Sequence, residues 1–406
     1  MSKILCCVLL LATGSSVLAE ELLIRNATLH TGKAEPAQEN MDILIRDGRI
    51  HRIGRELGTG GASIDAAGRI VTPGLFAGLT QLGLVEVSLE TSTVDDELEL
   101  GQMRPEFDVL PAYNPYSSLI PVTRIEGFTH TVIAPSSAGS IIAGQGYAIR
   151  LTGAYDSSVS APVLFIRMGE EETELGGSNP HALGSRAGQF MQLRQAFHEA
   201  AGDHYEPANP HNLLTPLGRR ALESFLDGDR RVVFQVDRAA DIVNVLKLAD
   251  EFDLSAVISG GAEAWKVADR LAAAKVPVLL NPLQNLPSSF DKLGSRLDNA
   301  RLLHEAGVTI AFSGDESHNA RKTRQLAGNA VSYGLPHEVG LAAIASSPGV
   351  IFGYQAGVIE RGAPADLVIW SGDPLEVTTY AEQVIVAGES IEMRSRQTEL
   401  LERYLK

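Results

Sequence analysis

Polar side chains with chemical potential recur along this chain, each just after a short apolar run. Gln81 follows a first such run, and Glu170, Glu171 and Glu172 follow Leu164-Phe165-Ile166. Gln235, Asp237 and Arg238 follow Val232-Val233-Phe234, and Ser259-Gly260-Gly261 follows Ala256-Val257-Ile258. Asn281 follows residues 276–280, and Asp315 with His318 and Asn319 follows residues 308–312. A carboxylate and an imidazole three residues apart suit proton transfer, which makes Asp315 and His318 the catalytic candidates. Gln81, Gln235, Arg238 and Asn281 are the substrate-binding candidates. The Gln235 amide, the Arg238 guanidinium, the Asp315 carboxylate and the His318 imidazole would orient a small amide, cyclic amide or dipeptide by charge-assisted hydrogen bonds. No spacing such as H-E-x-x-H assigns any residue to a metal.

The elements that must carry these residues read as strands and helices in turn. Val232-Val233-Phe234 is a buried strand, residues 239–252 an amphipathic helix and Ala256-Val257-Ile258 the next strand. Residues 262–274 are a helix, 276–280 a strand, 297–306 a helix and 308–312 a strand. Repeated βα units with continuous apolar strands predict a parallel sheet covered by helices. A (β/α)8 barrel takes about 250 residues, which suits residues 73–348. Its functional groups belong at the C-terminal ends of the strands. Before the barrel, Leu22, Leu23 and Ile24 start a strand, and Ile43 and Ile45 alternate with polar residues up to an Asp47-Gly48 turn. After it, residues 365–370 and 383–386 are strands again. Residues 20–72 and 349–395 therefore predict a small β-sandwich domain built from both termini, with residues 396–406 a tail or helix.

The chain has 406 residues, 44% of them hydrophobic and 21% charged, enough to bury a large core. A formal net charge of -16 argues against nucleic acid or anionic lipid as a partner. Residues 1–19 read as a secretory signal: Lys3, an apolar stretch, then Val17-Leu18-Ala19. Cleavage there predicts a periplasmic or secreted protein without a membrane anchor. Cys6 and Cys7 leave with the signal, so the mature chain forms no disulfide.

Several stretches, in order, resemble the amidohydrolase superfamily, in particular its imidazolonepropionase-like branch. They are Val71-Thr72-Pro73-Gly74-Leu75, NPYSSLIPVTR from Asn114, GGAEAW from Gly260, LDNARLLHEAGVTIAFSGDESHNAR from Leu297 and GAPADLVIWSGDPLEV from Gly362. The resemblance spans nearly the whole mature chain. It implies a hydrolase acting on carbon–nitrogen bonds other than peptide bonds, with a divalent metal such as zinc activating water. It also implies where the ligands should be. The paired histidines of the first strand correspond to Leu79 and Gln81. The two middle histidines correspond to Gln235 and Gly260, and the last aspartate to Asp315. Arg167 or Glu170, Glu171 and Glu172 stand nearest the position of a bridging carboxylate or modified lysine. One ligand position of five is thus kept. Loss of a single indirect partner typically costs ~10–100-fold in metal affinity, so this set predicts a degenerate metal site and no resident cofactor. The alternative is a catalytically inactive protein that keeps the barrel and binds a ligand, a second copy of itself or a related chain.

The remaining histidines read as structural. His181, His198, His204 and His211 fall near Glu199, Asp203 and Glu206 without ligand spacing, and read as a solvated helix and loop. His130 interrupts an apolar strand as a hydrogen-bonded core histidine. Asp95-Asp96-Glu97 with Glu99 reads as a solvated loop over the mouth, and residues 136–146 as a tight glycine loop.

Overall fold

The chain passes from one sheet to another at a single glycine. In the computed structural model, β5 (Ile70–Pro73) belongs to a sheet of terminal strands and β6 (Leu75–Thr80) opens the barrel. A Cβ on the intervening Gly74 would lie 2.1 Å from Thr129 Oγ1, so only glycine lets the two sheets approach this closely. The structure describes residues 21–58, 61–98, 100, 103–137, 140–170, 184–203, 205–206, 209–314 and 317–405. The predicted signal, residues 1–19, lies outside them, as do Glu99, Glu171, Glu172, His181, His204 and Asp315.

The first sheet joins both ends of the chain. It contains β1 (Glu21–Leu29), β2 (Gln38–Arg46), β3 (Arg49–Gly54), β4 (Ala62–Asp65) and β5. From the far end come β14 (Leu367–Trp370), β15 (Ala381–Val386) and β16 (Glu389–Ser390). The seam is antiparallel, with Leu367 opposite Pro73 and Ile369 opposite Val71. The hydrogen bonding describes one eight-stranded sheet where the sequence suggests a sandwich. Its buried face packs Ile24, Leu29, Ile43, Ile45, Val71, Leu367 and Ile385 into one core. Residues 396–404 form a helix that starts on a Ser395–Thr398 capping box.

The second sheet is the barrel. It runs in space from β6 through β7 (Phe128–Ile133), β8 (Ile142–Arg150), β9 (Val163–Arg167), β10 (Arg231–Val236), β11 (Ser255–Gly260) and β12 (Val278–Leu280) to β13 (Ile310–Phe312). The interior layer includes Phe76, Val132, Phe165, Val233, Val257, Leu279 and Ala311, all buried. Gly78, at φ +106, lets the two ends of the sheet meet: a Cβ there would lie 2.9 Å from Ser313 Oγ just after β13. That hydroxyl accepts the Leu79 N–H at 2.9 Å.

The expectation of an all-parallel barrel needs correction at β8, which is antiparallel to both β7 and β9. The physical reason is connection length. Only residues 134–141 separate β7 from β8, and a parallel return needs about a dozen residues or more. The same strand takes up residues 142–146 of the predicted glycine loop at 136–146. Gly144 and Gly146 lie in it because Cβ atoms would strike Phe107 O at 2.7 Å and Ile133 O at 2.0 Å. The helical readings at 239–252 and 297–306 correspond to Ala239–Glu251 and Asn299–Glu305. That at 262–274 divides into a 3-10 turn, Ala264–Val267, and a helix, Ala268–Ala273.

Candidate functional site

The strand ends enclose a cavity of about 280 Å³. Ligand pockets for drug-sized molecules start near ~300 Å³, so this one suits a small metabolite. Its floor is apolar, made by Leu79, Phe165, Val233 and Leu279. Its walls are polar: Gln81, Ser136, Arg167, Gln235, Asp237, Ser259, Asn281, Gln284, Lys292 and Ser313. Three of the four binding candidates, Gln81, Gln235 and Asn281, are thus brought together, because each ends or follows a barrel strand.

Each wall group is held by its neighbours. Ser317 Oγ accepts the Gln81 N–H at 2.6 Å and donates to Gln81 Oε1 at 2.6 Å. Strands β9 and β10 pair Arg167 with Gln235, and Arg167 Nε donates to Gln235 Oε1 at 2.9 Å. Asp237 Oδ1 accepts the Ala262 N–H at 3.1 Å, while Oδ2 lies 3.7 Å from Lys292 Nζ. Gly260 has φ +91, and a Cβ there would sit 2.8 Å from Asp237 Oδ1. Position 260 therefore resists any larger side chain. Asn281 Oδ1 accepts the Leu283 N–H at 3.1 Å, which turns the chain away from the strand.

The fourth binding candidate lies elsewhere. Arg238 caps the helix Ala239–Glu251 and faces Asp241 Oδ2 at 3.6 Å. Asp241 also lies 3.3 Å from Arg186 Nε, and Arg186 reaches Asp291. Burial pushes the Asp241 carboxyl up, against the pull of Arg238 and Arg186. Asp291 in turn accepts the Glu170 N–H at 2.7 Å. This chain of charges ties the loop after β9 to the loop after β12 beside the cavity. His318 is exposed on the turn Ser317–Lys322, and the cavity lining does not include it.

The sequence reading missed several contributors. Lys292 sits deep in the loop after β12, too far from a strand end to be flagged. Ser313 and Ser317, small polar residues on either side of position 315, carry no signal of a role in the sequence. Asp96 was placed in a solvated loop, yet it is buried and accepts from Ser136 Oγ at 2.5 Å on the cavity wall. The expectation of a solvated helix and loop in the histidine-rich region holds for the half-exposed His198 and Asp203 but not for Glu199, which is buried. Glu199 accepts the Leu213 and Leu214 N–H groups at 3.0 Å, and His198 Nδ1 lies 3.2 Å from Asp203. Among the described residues no three His, Cys, Asp or Glu side chains gather as metal ligands.

No protein-family model matches the chain. It is 23% identical to amidohydrolase tasK of Hapsidospora irregularis over 90% of its length. It spans only 42% of that curated relative. Among solved structures it resembles an amidohydrolase from Thermotoga maritima MSB8 at 25% identity, with a TM-score of 0.82 over 92% of this chain and 100% of that one. A prolidase complexed with N-methylphosphonate-L-proline shares the fold at 14% identity and a TM-score of 0.56, over 92% and 100% of the two chains. The prolidase shows the fold alone, while the likeness to tasK and to the Thermotoga structure supports a place in the amidohydrolase superfamily.

Proposed function

We propose that this chain is an amidohydrolase-fold protein whose barrel mouth binds a small amide-bearing molecule, and that the metal centre of its hydrolytic relatives is degenerate in it. The donor set around the cavity carries the reading. Leu79 has no lone pair to give and Gly260 no side chain. The Oε1 of Gln81 accepts from Ser317, and that of Gln235 accepts from Arg167. Arg167 and Lys292 add two cations to the lining. A divalent metal needs imidazole or carboxylate donors and a site free of competing positive charge, so these residues do not fit one. The cavity itself persists, with amides at its rim and an apolar floor, and that favours ligand binding.

A hydrolytic reading is kept by the resemblance to the Thermotoga amidohydrolase. In it Asp315 would act as general base. Metal analysis of the purified protein separates the two. The expected content of zinc, iron and manganese is far below one per chain. About one metal per chain, lost on Asp315→Ala, would overturn the degenerate site and restore metal-assisted hydrolysis. Export is proposed as well, on the order of charge, apolar stretch and small residues in 1–19. Mass spectrometry of periplasmic protein should find an N-terminus at Glu20, and one at Met1 or Ser2 would refute it.

A further inference from the structure

The mouth holds two cations in different states. Lys292 has a carboxylate close by, Asp237 Oδ2 at 3.7 Å. Arg167 has a neutral neighbour instead. Its Nε donates to Gln235 Oε1, and among the described residues no carboxylate pairs with its guanidinium. Using Nε as the anchor leaves the two terminal nitrogens for another partner. The side chain is half-buried, at the end of β9, beside the apolar floor of Phe165 and Val233. A charge removed from water without a counter-charge is costly, so such a guanidinium calls for an anion.

The geometry points to Arg167 as the seat of a carboxylate on the ligand of this cavity, with Gln235 as its positioning residue. This rests on the reading of the mouth as a ligand site and adds the chemistry of one end of the ligand. The planar guanidinium fork matches a carboxylate through two parallel N–H···O bonds. A single cation without a carboxylate partner among the described residues suits a monoanion better than a dianionic phosphate. The ligand class is therefore a small carboxylate with an amide and an apolar group, of which an N-acyl amino acid is the simplest example. The amide would meet the rim of Gln81 and Asn281, and the apolar group the floor.

Calorimetric titration of the full mature protein with N-acetyl-L-leucine and with N-acetyl-L-leucinamide tests this. The pair differs only in the charged end. The wild type should bind the acid and bind the amide at least tenfold more weakly. Arg167→Gln should weaken the acid by roughly ten- to a hundredfold and leave the amide unchanged. Arg167→Lys should recover part of the loss, since it keeps the charge without the fork. Gln235→Glu should also weaken the acid, by giving the guanidinium an internal counter-charge. Equal binding of acid and amide by the wild type, or an unchanged acid affinity in Arg167→Gln, would overturn the role of Arg167 and leave the mouth as a site. No binding of either compound, or binding that survives a cavity-filling Ser259→Trp, would overturn the mouth reading and this inference with it.

Discussion

Two arginines at opposite ends of the barrel show how one residue type serves stability or binding. Arg150 ends β8, and because that strand runs backwards it points to the base. There its Nε and terminal nitrogen grip Asp366 at 2.9 and 2.6 Å, and the second carboxylate oxygen accepts the Ala387 N–H at 2.7 Å. Asp366 immediately precedes β14, so this pair joins the barrel to the terminal sheet. His130 lies 3.6 Å from the same carboxylate and stacks on Tyr354 with ring centroids 5.5 Å apart. Arg167 ends β9 at the mouth, and among the described residues it is held by the Gln235 amide. A cation locked bidentate in a buried pair is structural, whereas one held by a neutral group keeps its field for something else. That division agrees with the barrel rule that the C-terminal face serves function and the opposite face stability.

The base should break most completely when the terminal strands are removed. Deleting residues 366–406 takes away β14 and its neighbours, and with them the fully buried Trp370 and Val368. The edge of β5 would then be unpaired and apolar. The expected product is insoluble, and a soluble truncation with a cooperative melt would contradict the joining of the two ends. Arg150→Gln is the finer cut. It leaves the Asp366 carboxylate, 3% exposed, without its counter-charge. Breaking a buried pair this way costs about 3–5 kcal/mol, on the order of 5 °C in melting temperature for a chain this size. A shift of only a degree or two would show the pair to be dispensable.

His130 gives the base a pH dependence with a defined sign. Burial holds its pKa down at about 4 rather than 6.5, and the nearby Asp366, already engaged by Arg150, offsets only part of this. The folded protein therefore keeps His130 neutral at pH 5, while the unfolded chain takes up a proton below about 6.5. Its contribution is complete above that pH and is lost as pH falls toward 4, at a limiting slope of about 1.4 kcal/mol per unit. Denaturant melts across this window should flatten in His130→Gln relative to the wild type. Identical slopes would remove His130 as the cause.

The two ends also differ in how far the sequence disclosed them. The βα rhythm from Arg231 onward is legible because apolar runs and amphipathic stretches alternate at the right lengths, and Gln235 and Asn281 follow as strand-end residues. The direction of β8 was hidden, since its glycines look like a loop until Phe107 and Ile133 are seen packed against them. Asp366 reads as one polar residue in a strand, and its pairing with Arg150 across 216 positions has no local signal. At the mouth, Arg238 was expected because it follows β10, yet one further residue along the chain is enough to start the helix and turn it toward Asp241. Arg167 was visible only as a misfit in a ligand position. Its partner Gln235 gave it meaning, and that needed the register of two strands.

The smallest expected change is the stability of Arg167→Gln, and it sharpens the comparison most. The substitution removes one hydrogen bond, to a neutral acceptor that stays near solvent in the cavity. Bonds of that kind contribute about 0.5–1.5 kcal/mol. Against this, the half-buried guanidinium no longer has to be held away from water without a counter-ion, and relief of that cost is of the same order. The two nearly cancel, so the melting temperature should move by no more than about 1 °C. Arg150→Gln, the same chemical change at the other end, should move it several times further. Adding N-acetyl-L-leucine should then stabilise the wild type and Arg150→Gln by mass action, and Arg167→Gln less at the same concentration. If Arg167→Gln instead melts as low as Arg150→Gln, the mouth arginine is a structural group like its counterpart at the base. The difference between the two ends would then be one of address alone.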